Sequence, residues 1–290
     1  MPPSSMSGTI CIVTGANSGI GKETALGLAQ MGARVVMVCR NVEKGKAALE
    51  EIRRESGSSQ VDLLIADMSS QASVRALAEQ VQQKYPRLDV LVNNAGGAAP
   101  ARTLSADGIE WTLATNHLGA ALLVLLLLDL LKASAPARIV NVSSSESQRP
   151  ARLDMNDLQF ERRKYRGLAA YGQSKLLMNA FTFELARRLA GTGVTANCLH
   201  PGAVASNFWS ANPAPLIGKL ILAVVKPFML TSKQGAAVSL YLATSPEVAQ
   251  VSGEYFVKSK PAKSNPLSRD PKLMAEVWRC TEKLISLPLA

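Results

Sequence analysis

The sequence predicts a single-domain α/β protein in which a doubly wound parallel sheet carries helices on both faces. Short segments rich in β-branched and apolar residues alternate along the chain with longer segments of helical pattern. The first strand segment also runs directly into a glycine-rich turn that opens a helix. The chain has 290 residues, 47% of them hydrophobic, so it can bury one sizeable core, and no linker divides residues 1–290.

The glycine-rich turn follows a strand predicted at residues 9–13. Its glycines, Gly15, Gly19 and Gly21, allow a tight turn and let backbone N–H groups approach a pyrophosphate at the N-terminus of the next helix. A second strand is predicted at residues 34–39, so that strand, turn, helix and strand fall within about 30 residues. This context predicts a Rossmann-type dinucleotide site.

The end of the second strand indicates which dinucleotide binds. An acidic residue there would hydrogen-bond the ribose 2′-hydroxyl of NAD, whereas an arginine would accommodate the 2′-phosphate of NADP. Cys39 and Arg40 occupy the position, and neither is a carboxylate. We therefore expect NADP(H) as the cofactor, with NAD less favoured. The alternative for Arg40 is a solvated residue that opens the next helix.

Tyr171 and Lys175 lie four residues apart, which places both side chains on one face of a helix. A free tyrosine titrates near pH ~10. An ammonium ~4 Å away contributes about 4 kcal/mol at an effective dielectric of ~20, so Lys175 is expected to lower the pKa of Tyr171 toward neutrality. Without other support, the pair is typical of a tyrosine at the core edge beside a solvated lysine.

These motifs resemble the short-chain dehydrogenase/reductase family over nearly the whole chain. The matching segments are the TGxxxGxG turn at residues 14–21, the NNAG segment at 93–96, the helix segment at 114–117, the strand end at 141–144, the YxxxK pair and Pro201-Gly202. Three features are most similar to the retinol dehydrogenase-like branch of the family. They are the spacing of 27 residues between Ser144 and Tyr171, the segment Asp-Leu-Gln at 157–159 and the segment Glu-Leu-Ala-Arg-Arg-Leu at 184–189.

The resemblance implies a catalytic tetrad of Asn116, Ser144, Tyr171 and Lys175. Hydride transfer to a carbonyl leaves a developing alkoxide, which needs a hydrogen-bond donor and an acid. Ser144 and Tyr171 would supply these, Lys175 would also hold the nicotinamide ribose, and Asn116 would position a water. The alternatives are a turn residue for Ser144, one of three consecutive serines, and a surface or capping residue for Asn116.

The expected cofactor contacts follow the carboxyl ends of the predicted strands. The family resemblance implies that Asp67, after the third strand, would reach the adenine, and the small residues of the NNAG segment would let the backbone approach the cofactor. The full set is Gly15, Asn17, Ser18, Gly19, Ile20, Gly21, Arg40, Asp67, Met68, Asn94, Ala95, Gly96, Tyr171, Lys175, Pro201, Gly202 and Val204.

The remaining elements are read from periodicity. Strands are predicted at residues 61–66, 88–92, 138–142, 194–199 and 254–257, and helices at 22–31, 70–85, 105–131, 170–189, 234–242 and 271–284. Residues 121–131 are uniformly apolar, but eleven residues are too few for a bilayer, which needs about 20. We expect a buried helix there that also offers a contact for a homodimer.

Substrate specificity is expected from residues 204–230, which contain Phe208, Trp209 and other large apolar residues. The segment could close over an apolar substrate beside Ser144. Two alternatives stay open, namely a helix packed on the core and a peripheral membrane contact that uses Lys219 and Lys226. Residues 258–290 form a C-terminal extension to which the sequence assigns no role.

Composition excludes several other classes of function. The net charge of +10 is dispersed, without a basic run or nucleic-acid motif, so no nucleic-acid partner is expected. The two histidines lie far apart, and the four cysteines lack metal or disulfide spacing, so no metal site is expected. Reduced thiols and a first strand within ten residues of Met1, which leaves no space for a signal peptide or anchor, favour a cytoplasmic protein.

The combined interpretation is an NADP-dependent oxidoreductase that transfers a hydride between the nicotinamide and an apolar aldehyde, ketone or alcohol. The substrate is retinal-like or another lipophilic carbonyl, although the expected lack of an anchor weakens the case for membrane-dissolved retinal as the substrate. Reduction is the direction expected from the family. The alternatives are a non-catalytic NADP(H)-binding redox sensor or scaffold, and an epimerase or dehydratase that uses the same Tyr–Lys pair.

Overall fold

The computed structural model describes residues 5–204 and 229–286, so most of the 204–230 segment, including Phe208 and Trp209, lies outside the described residues. The described strands form one sheet. They are β1 (Ile10–Thr14), β2 (Arg34–Cys39), β3 (Val61–Ile65), β4 (Val90–Asn93), β5 (Ala137–Val142), β6 (Val194–His200), β7 (Tyr255–Val257) and β8 (Lys260–Pro261).

The strand order is β3-β2-β1-β4-β5-β6-β7-β8. Every pair from β3 to β7 is parallel, and only the short edge strand β8 runs antiparallel, against β7. The predicted doubly wound sheet is therefore confirmed. The chain leaves β1 toward β2 and β3, then returns to the other side of β1 at β4, which makes the β1–β4 boundary the switch point where such sheets bind ligands.

Helices cover both faces of the sheet. They are α1 (Gly19–Gln30), α2 (Val42–Ser56), α3 (Gln71–Lys84), α4 (Trp111–Leu113), α5 (Gly119–Leu126), α6 (Leu128–Ala133), α7 (Gly167–Arg188), α8 (Ser232–Thr244) and α9 (Pro271–Ile285). The side chains of β1 alternate between two apolar clusters, Ile10 and Ile12 in one and Cys11 and Val13 in the other, as successive residues of a strand must. Helices α1, α2 and α8 cover one face, and α3, α5 and α7 cover the other.

The prediction of one continuous helix at residues 105–131 was wrong. The helix begins at Trp111, where the Glu110 carboxylate accepts hydrogen bonds from the backbone N–H groups of Thr112 and Leu113 at 2.8 and 2.7 Å. A π turn, Ala114–Leu118, then separates α4 from α5, and the helix breaks again at Leu127. The break at Leu127 falls in the apolar stretch of residues 121–131, which carries no periodic signal for an interruption.

Two further elements were not delimited from the sequence, namely helix α2 and strand β8. Helix α2 is largely exposed and polar, and Asn41 caps it by accepting a hydrogen bond from Lys44 N at 2.8 Å. Strand β8 has only two residues, too few for an alternating pattern. Neither element displaces the predicted strands around the switch point.

The carboxyl ends of β1 and β4 are joined by a side chain. Thr14 Oγ1 accepts hydrogen bonds from the backbone N–H groups of Asn94 and Ala95, both at 3.0 Å, and Asn94 Nδ2 donates to Thr14 O at 2.9 Å. Because Thr14 is only 1% exposed, water cannot replace these bonds. The NNAG segment is thereby held against the glycine-rich turn.

The membrane interpretation of the apolar helix finds no support in the described part of the chain, where no helix is long and apolar enough to span a bilayer. The hydrophobic stretch belongs to α5 and α6, whose buried leucines lie in the core. All four cysteines are free thiols.

We predict that Thr14→Val weakens the fold. Valine keeps the shape of threonine but leaves two buried N–H groups without their acceptor, at a cost of about 1–3 kcal/mol in the free energy of unfolding. Urea unfolding monitored by circular dichroism measures the change. Thr14→Ser, which retains the oxygen, is the control, and equal stability of the valine variant and the wild type would contradict the assigned hydrogen bonds.

Candidate functional site

A cleft of about 670 Å³ opens at the carboxyl ends of the central strands. Its walls come from the glycine-rich turn, the ends of β2 and β3, the NNAG segment, the end of β5, the face of α7 and residues 200–204. Every expected cofactor contact lines this cleft, and so does Ser144. The structure thus brings together residues that are separated by up to 189 positions in the chain, from Gly15 to Val204.

The glycine-rich turn forms the tightest wall of the cleft. Gly15 adopts a φ of 68°, and a Cβ there would lie 3.0 Å from Ala95 Cα, so a larger residue would push the turn away from the NNAG segment. Helix α1 begins at Gly19 and presents its unpaired N–H groups to the cleft. These features fit the phosphates of a dinucleotide, which need close backbone N–H donors and the positive end of a helix.

Arg40 and Asp67 lie together at the end of the cleft next to β2 and β3. Arg40 Nη1 is 3.7 Å from Asp67 Oδ2, and the arginine side chain is 65% exposed. Asp67 Oδ1 accepts hydrogen bonds from the backbone N–H and the hydroxyl of Ser69 at 2.9 and 2.8 Å. The carboxylate is held by Ser69, whereas the guanidinium retains exposed N–H groups that can contact a phosphate.

Ser144 is the serine that meets Tyr171. The Ser144 side chain hydrogen-bonds the phenol of Tyr171, and its Oγ also accepts from Glu146 N at 3.2 Å. Ser143 is buried beneath, where its hydroxyl donates to Lys175 O at 3.4 Å. Among the three consecutive serines, the geometry therefore favours Ser144 as the residue that acts beside Tyr171.

Lys175 lies against the face of the tyrosine ring. Its Nζ is 5.7 Å from the centroid of the Tyr171 ring and donates a hydrogen bond to Val142 O at 2.7 Å. Burial lowers the pKa of Lys175 to about 8, because the ammonium loses its hydration.

The pKa of Tyr171 moves in the direction opposite to the one expected from the sequence. Burial raises it to about 12, the hydrogen bond from Ser144 lowers it, and the nearby Glu146 carboxylate raises it further. The expected lowering rests on the attraction between the Lys175 ammonium and the tyrosinate alone. In the folded chain, the cost of withdrawing the tyrosinate from water is the largest effect.

Asn116 lies behind the cleft rather than on its surface. Its Oδ1 accepts from Gly97 N at 2.8 Å, and its Nδ2 donates to Gly97 O at 2.8 Å and to Ser174 Oγ at 2.9 Å. These bonds tie the π turn to the NNAG segment and to α7. The geometry supports a bracing function for Asn116, and the predicted water-positioning role stays a prediction.

Several lining residues were not anticipated from the sequence. The apolar part of the wall includes Trp111, Leu168 and Ala98, and Glu146 adds one carboxylate near Tyr171. Leu168 is 53% exposed, so its side chain is accessible to a ligand in the cleft. Its position two residues after Arg166, at the start of α7, gives no motif that could have identified it.

Comparison with known proteins identifies the family. A family model described as short chain dehydrogenase matches residues 9–155. Human retinol dehydrogenase 12 is 42% identical over 280 residues, which cover 97% of this chain and 87% of that protein. This chain belongs to the short-chain dehydrogenase family. The predicted resemblance to the retinol dehydrogenase-like branch is confirmed.

Solved structures agree with the fold of a short-chain dehydrogenase. A crystal structure of an uncharacterised protein from Mycobacterium paratuberculosis superposes with a TM-score of 0.80 at 31% identity, over 99% of this chain and 98% of that one. Pseudomonas aeruginosa RhlG, solved as an NADP active-site complex, superposes with a TM-score of 0.69 at 29% identity, over 88% of this chain and 97% of that one.

We predict that Lys175→Met stabilises this short-chain dehydrogenase at neutral pH. The lysine pKa is about 8 in the folded chain and 10.5 in the reference state, so the folded wild type binds fewer protons and becomes more stable as the pH rises from about 8 to 10.5. The variant removes this cost, up to about 3 kcal/mol at pH 7 at 1.36 kcal/mol per pKa unit, less about 1 kcal/mol for the lost hydrogen bond to Val142 O.

Chemical unfolding of both proteins at pH 7 and pH 10.5 measures this difference. Groups that titrate in both proteins cancel in the comparison, so the gap in unfolding free energy should narrow as the pH rises. A gap that is independent of pH would show that Lys175 is not held in a charge-disfavouring environment.

Proposed function

We propose that this short-chain dehydrogenase is an NADP-dependent carbonyl reductase that acts on lipophilic aldehydes or ketones. The observation that carries the proposal is the convergence of Ser144, Tyr171 and Lys175 in one cleft with the glycine-rich turn. The residues fit a nicotinamide dinucleotide: the turn and the start of α1 would hold the pyrophosphate, and Lys175 would hold the nicotinamide ribose. When bound, the cofactor supplies the hydride that reduces the carbonyl carbon.

The protonation of Tyr171 supports the direction of the reaction. With its pKa raised to about 12, the phenol is protonated at neutral pH and can donate its proton to the oxygen that becomes an alkoxide. The Ser144 hydroxyl carries one proton, so it would turn from the phenol to donate to the same oxygen once a carbonyl is bound. These two donors define where the carbonyl oxygen must lie, within hydrogen-bond distance of both.

The substrate class follows from the apolar wall of the cleft. The side chains of Trp111, Leu168 and Ala98 present apolar surface to a hydrophobic substrate. Relatives of this chain are named retinol dehydrogenases, after a lipophilic alcohol. We propose a lipophilic carbonyl, with retinal as one member of the class. Closure of residues 204–230 over the substrate also remains our proposal.

We expect wild-type protein to oxidise NADPH with at least one member of a panel of aliphatic, aromatic, retinoid and steroid carbonyls, followed at 340 nm. Tyr171→Phe removes the proton donor and should lower kcat about 100- to 10,000-fold, while NADPH affinity changes little. Tyr165→Phe, which alters a tyrosine hydroxyl that bonds Glu110 outside the cleft, is the matched control. Tight NADPH binding without turnover on any carbonyl would instead favour the redox sensor or scaffold.

The choice of NADP over NAD rests on Arg40, whose guanidinium lines the cleft beside Asp67. Arg40→Ala should weaken NADPH binding about 10- to 100-fold, the effect of one charge-assisted hydrogen bond, and leave NADH binding nearly unchanged. Arg54→Ala removes the same charge from an exposed arginine of α2 and should change neither affinity. Fluorescence titration with both nucleotides measures the two affinities. An equal loss of affinity for NADPH and NADH in Arg40→Ala would contradict a contact between Arg40 and the 2′-phosphate.

A further inference from the structure

The C-terminal helix α9, to which the sequence assigned no role, packs directly against the active-site region. Its buried face contains Met274, Val277, Trp278, Thr281 and Ile285. Trp278 stacks on Phe181 of α7 with ring centroids 5.1 Å apart and planes 9° from parallel. The extension is therefore part of the core on the α7 side of the sheet.

Both ends of α9 are anchored. Asp270 caps the N-terminus by accepting hydrogen bonds from Lys272 N and Leu273 N at 2.8 and 3.2 Å. At the other end, Gln71 Nε2 donates to Leu284 O at 2.8 Å and Arg75 Nη2 donates to Ile285 O at 2.7 Å. Side chains of α3 thus satisfy carbonyls that a helix end leaves unpaired, which fixes the position of α9 along its axis.

One polar contact links α9 to the π turn. His117 Nε2 lies 2.8 Å from Thr281 Oγ1, and both side chains are buried. The Thr281 hydroxyl donates its proton to Val277 O at 2.8 Å, so it can only accept from the histidine. Nε2 therefore carries the imidazole proton. Burial lowers the pKa of His117 to about 3, so the ring is neutral and the bond does not depend on physiological pH.

The π turn points three consecutive side chains at three different parts of the molecule. Thr115 lines the cleft, Asn116 braces Gly97 and Ser174, and His117 reaches α9. A π turn is a rare departure from the α-helix that is often found at functional sites. Its geometry must be held by contacts outside the helix, and His117 supplies the contact on the side away from the cleft.

We propose that α9 is a positioning element for the active site, in which the His117–Thr281 hydrogen bond holds the π turn so that Asn116 can brace Gly97 and Ser174. Thr281 is thus a positioning residue, outside the cleft, for the carbonyl reduction proposed above, on which this inference rests. Loss of the acceptor on Thr281 leaves a buried N–H donor unsatisfied, which favours displacement of the π turn. Movement of Asn116 then loosens the wall beside Lys175.

Two variants of Thr281 separate the hydrogen bond from the packing. Thr281→Val keeps the shape but removes the acceptor, whereas Thr281→Ser keeps the acceptor and loses only a methyl group. We expect Thr281→Val to lower kcat on the order of tenfold, less than the hundredfold that a 1 Å misplacement costs, with NADPH affinity within about twofold of wild type. Thr281→Ser should restore kcat. Hydrogen–deuterium exchange of a peptide spanning residues 111–119 should be faster in the valine variant alone.

Arg75→Met is the control for general weakening of α9, since it removes a hydrogen bond at the C-terminal end of the same helix without touching Thr281. It should lower the melting temperature without lowering kcat. Wild-type kcat and exchange in Thr281→Val, or a loss of kcat in Arg75→Met as large as that in Thr281→Val, would overturn the proposal. If Thr281→Val does not fold, Thr281→Cys, whose sulfur is a weak acceptor, should show a smaller decrease in kcat and a smaller increase in the exchange rate of residues 111–119.

The exchange measurement needs no substrate, so it distinguishes the two proposals. Wild-type protein that reduces no carbonyl would overturn the proposed function and the catalytic part of this inference together. Active wild-type protein with unchanged exchange in Thr281→Val would overturn the positioning of the π turn alone.

Discussion

The active site depends on the need to satisfy buried polar groups at the carboxyl ends of the central strands. Thr14 joins β1 to the NNAG segment. In the next layer, Asn93 Nδ2 donates to Asn141 Oδ1 at 2.8 Å, and Asn141 Nδ2 donates to Thr182 Oγ1 at 2.8 Å. Each of these groups would be costly to leave unpaired, so β1, β4, β5 and α7 are held in one arrangement. The catalytic candidates are side chains placed on that frame.

Burial has opposite consequences for the two titratable groups of the site. It raises the pKa of Tyr171 and lowers that of Lys175, because both charged forms lose water. A protonated phenol is the form that donates a proton in a reduction. The buried Lys175 ammonium lowers the free energy of unfolding at neutral pH, because it has lost its hydration. The same desolvation that strengthens electrostatic interactions with a bound substrate thus destabilises the folded chain.

Short-range patterns predicted most of the fold and most of the cleft. The second strand, residues 34–39, and the start of the C-terminal helix at Pro271 agree with the structure to the residue. The helix break at Leu127 could not be predicted, because the leucine-rich sequence around it is compatible with any helical register. Phe208 and Trp209 lie outside the described residues, and their role in substrate binding stays a prediction.

The sequence by itself determined the alternation of strands and helices, the glycine-rich turn and the Tyr171–Lys175 spacing, since each depends on residues close together in the chain. Only the tertiary structure decided which serine meets Tyr171, the sign of the tyrosine pKa shift and the contact between His117 and Thr281. The His117–Thr281 contact joins residues 164 positions apart, and the other two depend on burial and on neighbours from separate elements. No local pattern records such distances, because packing of the whole chain produces them.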